Sequence, residues 1–145
     1  MVTATSEWVR EAVRKPYIIY NVMYSNGLRP TEVQAISRDG FLHQARWVDV
    51  HEAEPMNRLE AGKEIFRFQC ANCHTVDGYN AIRPLIQGWR ESFIAGQLKN
   101  LNELKGFMPP FAGTDEERRA LAHYLASLWG YPPENQPMPD QEEAR

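Results

Sequence analysis

Phe66-Arg67-Phe68-Gln69-Cys70-Ala71-Asn72-Cys73-His74 contains both cysteines of this 145-residue chain, and its reading decides the fold. Its two thiols stand about one helical turn apart, and the imidazole of His74 follows at once. Upstream, Asn57 and Glu60 have the spacing of a helix cap and its reciprocal partner, and Leu59, Ile65 and Phe66 run towards Cys70 at helical spacing. Downstream, Phe93, Ile94, Leu98 and Leu101 predict a second helix from about 91 to 102. Thr114 and Glu117 form another capping box, and Leu121, Tyr124, Leu125 and Leu128 mark one face of a third helix that should stop near Gly130, before Pro132. Nothing alternates as a large sheet would, although residues 41–50 suit short strands. The expected fold class is all-α.

The string Cys70-x-x-Cys73-His74 is the attachment signature of c-type haem. Each thiol forms a thioether to a porphyrin vinyl group, and the next residue sets an imidazole beneath the iron. Cys-x-x-Cys also serves zinc sites and dithiol exchange. A structural zinc site needs about four protein ligands, and there is no second Cys-x-x-Cys to complete one. A thioredoxin-like site calls for an alternating α/β context that this pattern lacks. The reading is therefore one covalent haem c, held by Cys70 and Cys73, with His74 as an iron ligand.

For the other face of the iron the chain offers Met108, in Phe107-Met108-Pro109-Pro110-Phe111. A thioether on a proline-stiffened loop suits an iron that keeps both ligands while it changes oxidation state. Elsewhere a lone methionine is ordinary core filler. Met1, Met23, Met56 and Met138 lie outside the expected pocket-forming stretch or in terminal segments. His123 falls beside the apolar face of the third helix, where a solvated or capping role fits it. His43 and His51 belong to the amino-terminal part and are outside candidates for an alternative state.

The punctuation of the chain separates three parts. Residues 1–55 are aromatic-rich and irregular, with turn signals at Ser25-Asn26-Gly27, Arg29-Pro30 and Asp39-Gly40. Short helices fit residues 8–13, stopped by Pro16, and residues 31–38. Residues 56–131 carry the helical pattern around the cysteines. The segment 132–145 holds Pro132, Pro133, Pro137 and Pro139 among acidic and amide residues, a composition expected to form an extended or disordered, flexible tail. Sixteen Lys and Arg against nineteen Asp and Glu leave a formal charge of -3, which argues against a general nucleic-acid binder. The longest apolar or aromatic run, Tyr17-Ile18-Ile19-Tyr20, is too short to cross a bilayer. No secretory leader is legible before Trp8, so the chain reads as cytoplasmic or as a mature or excised piece.

Residues from about 57 to 131 resemble a class I cytochrome c domain. The likeness rests on Gly62-x-x-x-Phe66-x-x-x-Cys70-x-x-Cys73-His74, Arg83-Pro84-Leu85, Met108-Pro109-x-Phe111 and Leu121-x-x-Tyr124-Leu125. It implies a close crossing of the first and last helices, with Gly62 meeting Tyr124, because only a small residue fits where two backbones nearly touch. It also implies that the Pro84 carbonyl accepts a hydrogen bond from the free ring nitrogen of His74. Phe66, Leu85, Leu98 and Phe111 would wall the haem, and Tyr79, Arg83 and Trp89 would donate to its propionates. Arg83 stands where the family usually has glycine, so the local turn is expected to differ. Only 33 residues lie between His74 and Met108, which marks a short version of the fold.

The amino-terminal part resembles the outer-side connecting region of cytochrome bd-type quinol oxidase subunit I proteins that carry a fused cytochrome c domain. In Trp8-Val9-Arg10-Glu11-Ala12-Val13-Arg14-Lys15-Pro16-Tyr17-Ile18-Ile19-Tyr20, residues Glu11, Arg14 and Pro16 keep the register of that family's Glu-x-Gly-Arg-Gln-Pro-Trp segment. Val13, Lys15 and Tyr17 depart from it. Tyr24-Ser25-Asn26-Gly27, Gly40-Phe41-Leu42 and Trp47-Val48 extend the likeness. In that family the arginine-proline segment flanks a transmembrane helix, which this chain lacks. Glu11, Arg14 and Lys15 read equally as a solvated helix face, with Tyr17, Ile18, Tyr20 and Tyr24 packed over the core.

The expected function is one-electron relay by a monohaem cytochrome with His74 and Met108 on the iron. Its partner would be a redox protein or a membrane respiratory complex, and its place the periplasm or the outer face of the membrane. Lys63, Lys99 and Lys105 are scattered, so docking is expected to be apolar, tethered or weakly charged. A second reading is a gas-binding sensor or peroxidase-like haem protein in which Met108 is displaceable. A third is an oxidase-subunit fragment, in which residues 1–55 serve assembly and the haem domain stays redox-active without them.

Overall fold

The computed structural model describes residues 2–14 and 21–130. Eight α-helices occur among them: α1 (Val2–Arg14), α2 (Pro30–Asp39), α3 (Phe41–Gln44), α4 (Arg58–Ile65), α5 (Ile82–Leu85), α6 (Glu91–Lys99), α7 (Leu101–Leu104) and α8 (Asp115–Ser127). A single π-helical turn, Phe66–Cys70, continues α4. An isolated bridge pairs Thr75 with Ala81, no strand occurs among the described residues, and the fold class is all-α, as expected. The strands expected over residues 41–50 are absent, because the first four of those residues close into α3. The expected stop of α1 at Pro16 and the segment 132–145 lie outside the described residues.

The core forms where α4 and α6 pack on α8. Leu42, Ile65, Ile94 and Leu121 are its fully buried large side chains. The contact of α4 with α8 is the closest of these. A methyl group on Gly62 would stand 2.1 Å from the Ala120 carbonyl oxygen and 2.6 Å from the Tyr124 Cβ. The expected meeting of Gly62 with Tyr124 is thus present, and it admits no side chain on α4 at that point. Leu42 and Val48, from the amino-terminal 55 residues, sit in the same core, with Phe41, Ala45, Val50 and Ala53 packed against it.

The ends of the helices show which local signals held. Thr114 caps α8 by accepting from the Glu117 backbone N–H at 3.3 Å, and the Glu117 carboxylate takes the Thr114 N–H at 2.7 Å. Helix α8 closes with short-range bonds through Trp129 and Gly130, where Gly130 adopts φ 69°. Asn57 does precede α4, but its side chain does not cap it. Its Oδ1 instead accepts from the Glu54 N–H at 2.7 Å and its Nδ2 donates to the Glu52 carbonyl at 3.0 Å, so the preceding loop takes the groups a cap would need. The helix expected over 91–102 breaks at Asn100 (φ -125°, ψ 38°) into α6 and α7. The Asn100 carbonyl then starts α7, accepting from Glu103 at 3.0 Å and Leu104 at 3.2 Å.

Candidate functional site

Helix α4 delivers the two cysteines through the π turn, in which the Ala71 N–H reaches the Phe66 carbonyl at 2.9 Å. Such a turn inserts one residue into the helical register, a device common at functional sites. The chain then tightens: the N–H groups of Cys73 and His74 both donate to the Cys70 carbonyl, at 3.0 and 2.8 Å. Cys70, Cys73 and His74 therefore occupy one compact turn. Both cysteines are free, Cys70 partly covered and Cys73 exposed. Burial, with a smaller contribution from Cys73, pushes the Cys70 thiol up to about 12, so the pocket disfavours a thiolate and suits a neutral sulfur such as a thioether.

The loop after His74 holds the imidazole. Nδ1 of His74 lies 3.3 Å from the Asn80 carbonyl oxygen. A carbonyl only accepts, so this contact suits the tautomer protonated at Nδ1, whose Nε2 has the lone pair that a metal would take. Asn80 reaches this position in the left-handed region (φ 53°), and its side-chain amide donates back to the Cys73 carbonyl. The likeness to class I cytochromes c implies the Pro84 carbonyl as this acceptor; in the structure Nδ1 faces Asn80, carried by the loop that the bridge from Thr75 to Ala81 closes.

Arg83 donates from Nε and Nη2 to the two carboxylate oxygens of Asp77, at 2.7 and 3.1 Å. Its Nη1 donates to the Leu128 carbonyl, and its own carbonyl accepts from the Trp129 indole at 2.7 Å. The residue that replaces the family's glycine thus ties the 77–83 loop to the end of α8. Trp89 stands edge-on to Phe93 with centroids 4.9 Å apart, and Tyr79 is 94% exposed. Of the expected haem-wall residues, Phe66 and Leu98 are buried, Phe111 is half-buried and Leu85 is exposed. Phe66 packs on Tyr124, ring centroids 5.6 Å apart. Leu98 and Phe111 also line a cavity of about 310 Å³ with Ser37, Lys99 and Arg118.

Met108 is half-buried on the loop between α7 and α8. Its N–H donates to the Lys105 carbonyl at 2.8 Å. Four residues on, the Gln69 side chain grips Ala112 twice, donating to its carbonyl at 2.6 Å and accepting from its N–H at 3.2 Å. Neither Gln69 nor Asn80 stood out in the sequence. Gln69 could have been noticed as an amide beside Cys70, whereas the role of Asn80 depends on a backbone conformation with no sequence mark. Of the histidines outside the motif, His51 faces the Leu42 carbonyl at 3.3 Å and His123 pairs with Glu91 at 2.9 Å.

The residues present fit a covalent haem. Two thiols and an imidazole share one turn, and large apolar side chains at Leu85, Phe93, Leu104 and Phe107 stand exposed. They fit a zinc centre poorly, since no three His, Cys, Asp or Glu side chains among the described residues converge on a common point.

Residues 57–125 match the family model described as cytochrome C oxidase, cbb3-type, subunit III. The match supports a c-type cytochrome domain. Its cofactor is haem c, bound covalently through Cys70 and Cys73, and its activity is monohaem electron transfer, which requires a redox partner. Domains of this type are typically extracytoplasmic. No helix among the described residues is long and apolar enough to cross a membrane. No curated protein and no solved structure matches the chain.

Proposed function

We propose that residues 56–131 are a one-electron relay within or beside a membrane respiratory oxidase, on its outer, periplasmic side, with His74 and Met108 as the two iron ligands. The observations that support this reading are two separate local supports. Asn80 fixes the His74 ring with Nε2 free, and a loop stiffened by Pro109 and Pro110 presents a thioether from a segment held at Lys105 and Ala112. When bound, haem c supplies a reversible one-electron couple. The chain's own part is to keep both ligands in place across oxidation states and to exclude water. Phe66, Leu85, Leu98 and Phe111 provide the apolar walls. Tyr79, Trp89 and the two guanidinium N–H donors that Arg83 has left are the proposed partners for the propionates. Pro84, in α5, shapes the loop on the His74 side.

The likeness of residues 8–48 to the outer-side region of bd-type oxidase subunits and the cbb3-type match over residues 57–125 favour the same class of partner, a membrane terminal oxidase. Residues 1–55 are then the part that joins the relay to that complex. Absorption spectra of the haem-matured chain test the ligation. The oxidised protein should show the weak far-red sulfur-to-iron band, and the reduced protein should bind carbon monoxide poorly. Met108→Ala should lose the band and bind carbon monoxide readily. A wild-type protein without the band that binds carbon monoxide at neutral pH would overturn the relay in favour of a sensor or peroxidase-like site.

A further inference from the structure

We propose that the amino-terminal part is a strap that positions Met108, acting through the Ser25 hydroxyl, and that this contact sets how readily the methionine sulfur gives way to another ligand. The inference rests on Met108 being an axial ligand, as proposed above, and adds the device that controls it.

Ser25 Oγ donates to the Phe107 carbonyl oxygen at 2.7 Å, across 82 residues of sequence. That oxygen belongs to the peptide group whose N–H is Met108's own, and the N–H donates to Lys105 at 2.8 Å. One peptide plane is therefore held from both edges, and it is the plane from which the methionine side chain departs. Beyond it, Pro109 and Pro110 have fixed φ and no N–H to exchange. The next hold is the double bond pair between Gln69 and Ala112. Residues 108–111 thus hang between two clamps. The downstream clamp comes from the residue beside Cys70, and the upstream one comes from outside the matched domain.

Ser25 is itself held firmly enough to act. Its turn is closed by Gly27 N–H to the Tyr24 carbonyl and Tyr24 N–H to the Leu28 carbonyl, both 2.9 Å, with Gly27 at φ 81°. The Asn26 side chain accepts from the Leu28 N–H at 3.1 Å. Helix α2 follows directly, and the start of α3 is pinned to the core where Phe41 and Leu42 donate to the Glu117 carboxylate at 2.9 and 2.7 Å. Force on the extension, or its engagement by a partner, would reach Met108 through one hydroxyl.

The test compares wild type, Ser25→Ala, Ser25→Thr and Met108→Ala as full, haem-matured chains. It reads the far-red band against pH in the oxidised form, and the rate of carbon monoxide binding in the reduced form. Ser25 is a turn residue outside the core, so haem content should be unchanged in Ser25→Ala and the thermal melt should fall by no more than a few degrees, the cost of one hydrogen bond. That variant should bind carbon monoxide about 5-fold faster, the factor that one neutral hydrogen bond carries, and should lose the far-red band at lower pH. Ser25→Thr, which keeps the hydroxyl, should restore both. Wild-type behaviour of Ser25→Ala in both readouts overturns the strap and leaves the ligation intact, as does a Ser25→Thr that behaves like the alanine variant. A wild type that lacks the band and matches Met108→Ala overturns the ligation, and the strap with it.

Discussion

At the scale of single residues, the site is built from donors and acceptors that fix one another. Asn80 serves twice, through its carbonyl on His74 and its amide on Cys73, and so locks the loop that follows the cysteines. Arg83 joins that loop to the last turn of α8 through Asp77 and Leu128. The Arg83 hydrogen bond, more than its charge, holds the Asp77 carboxyl below its ordinary value. A lowered carboxyl pKa means that the pairing is fully present above the ordinary aspartate range and is lost as pH falls through the lowered value. Carboxyl-carbon NMR should show Asp77 titrating below pH ~3.9, the reference for a free aspartate, and Arg83→Gln should return it to that reference. The Asp77 carboxylate is open to solvent, so its pairing should contribute little to global stability.

Among the elements, the crossing of α4 and α8 carries the structure. Gly62 allows it because nothing larger than hydrogen fits against the Ala120 carbonyl. Gly62→Ala must push backbone against backbone, which no rotamer change relieves. We expect it to cost about 3 kcal/mol, the upper part of the usual range for overpacking, read as a lower midpoint in denaturant with the slope unchanged. This contact was legible through the likeness to class I cytochromes c, which implies a close helix crossing at Gly62, where only a small residue fits. The break of α6 from α7 was not. The spacing of Leu98 and Leu101 continues past Asn100, and apolar periodicity says nothing about where a side chain or carbonyl will interrupt the ladder.

The whole molecule is joined by Glu117. Its side chain, only 3% exposed, accepts from Thr114 at the start of α8 and from Phe41 and Leu42 at the start of α3. One carboxylate therefore caps two helices, one in the matched domain and one before it. Gly113 leaves room for it, since a methyl group there would come within 2.6 Å of its Oε2. Glu117→Ala removes the acceptor from three backbone N–H groups at once. It should destabilise the protein by about 3 kcal/mol, in line with hydrogen bonds to a charged group left unmade, and should expose residues 38–46 to limited proteolysis. Glu117→Gln, which keeps one acceptor oxygen, should lose less. The burial of Leu42 and Val48 with α4, α6 and α8 makes the same point in apolar terms.

Short-range chemistry was readable directly. The haem attachment turn, the Thr114 capping box and the all-α class each follow from residues a few positions apart, and the Gly62 contact was implied by the likeness to class I cytochromes c. What only the tertiary structure decided are the bonds between distant segments. These are Asn80 in place of Pro84 beneath His74, Gln69 on Ala112, Ser25 on Phe107, and Glu117 reaching across to α3. The physical reason is common to all four. Each involves a backbone N–H or carbonyl, groups that every residue type except proline carries in full, so the side-chain pattern of the sequence cannot mark which one will be met.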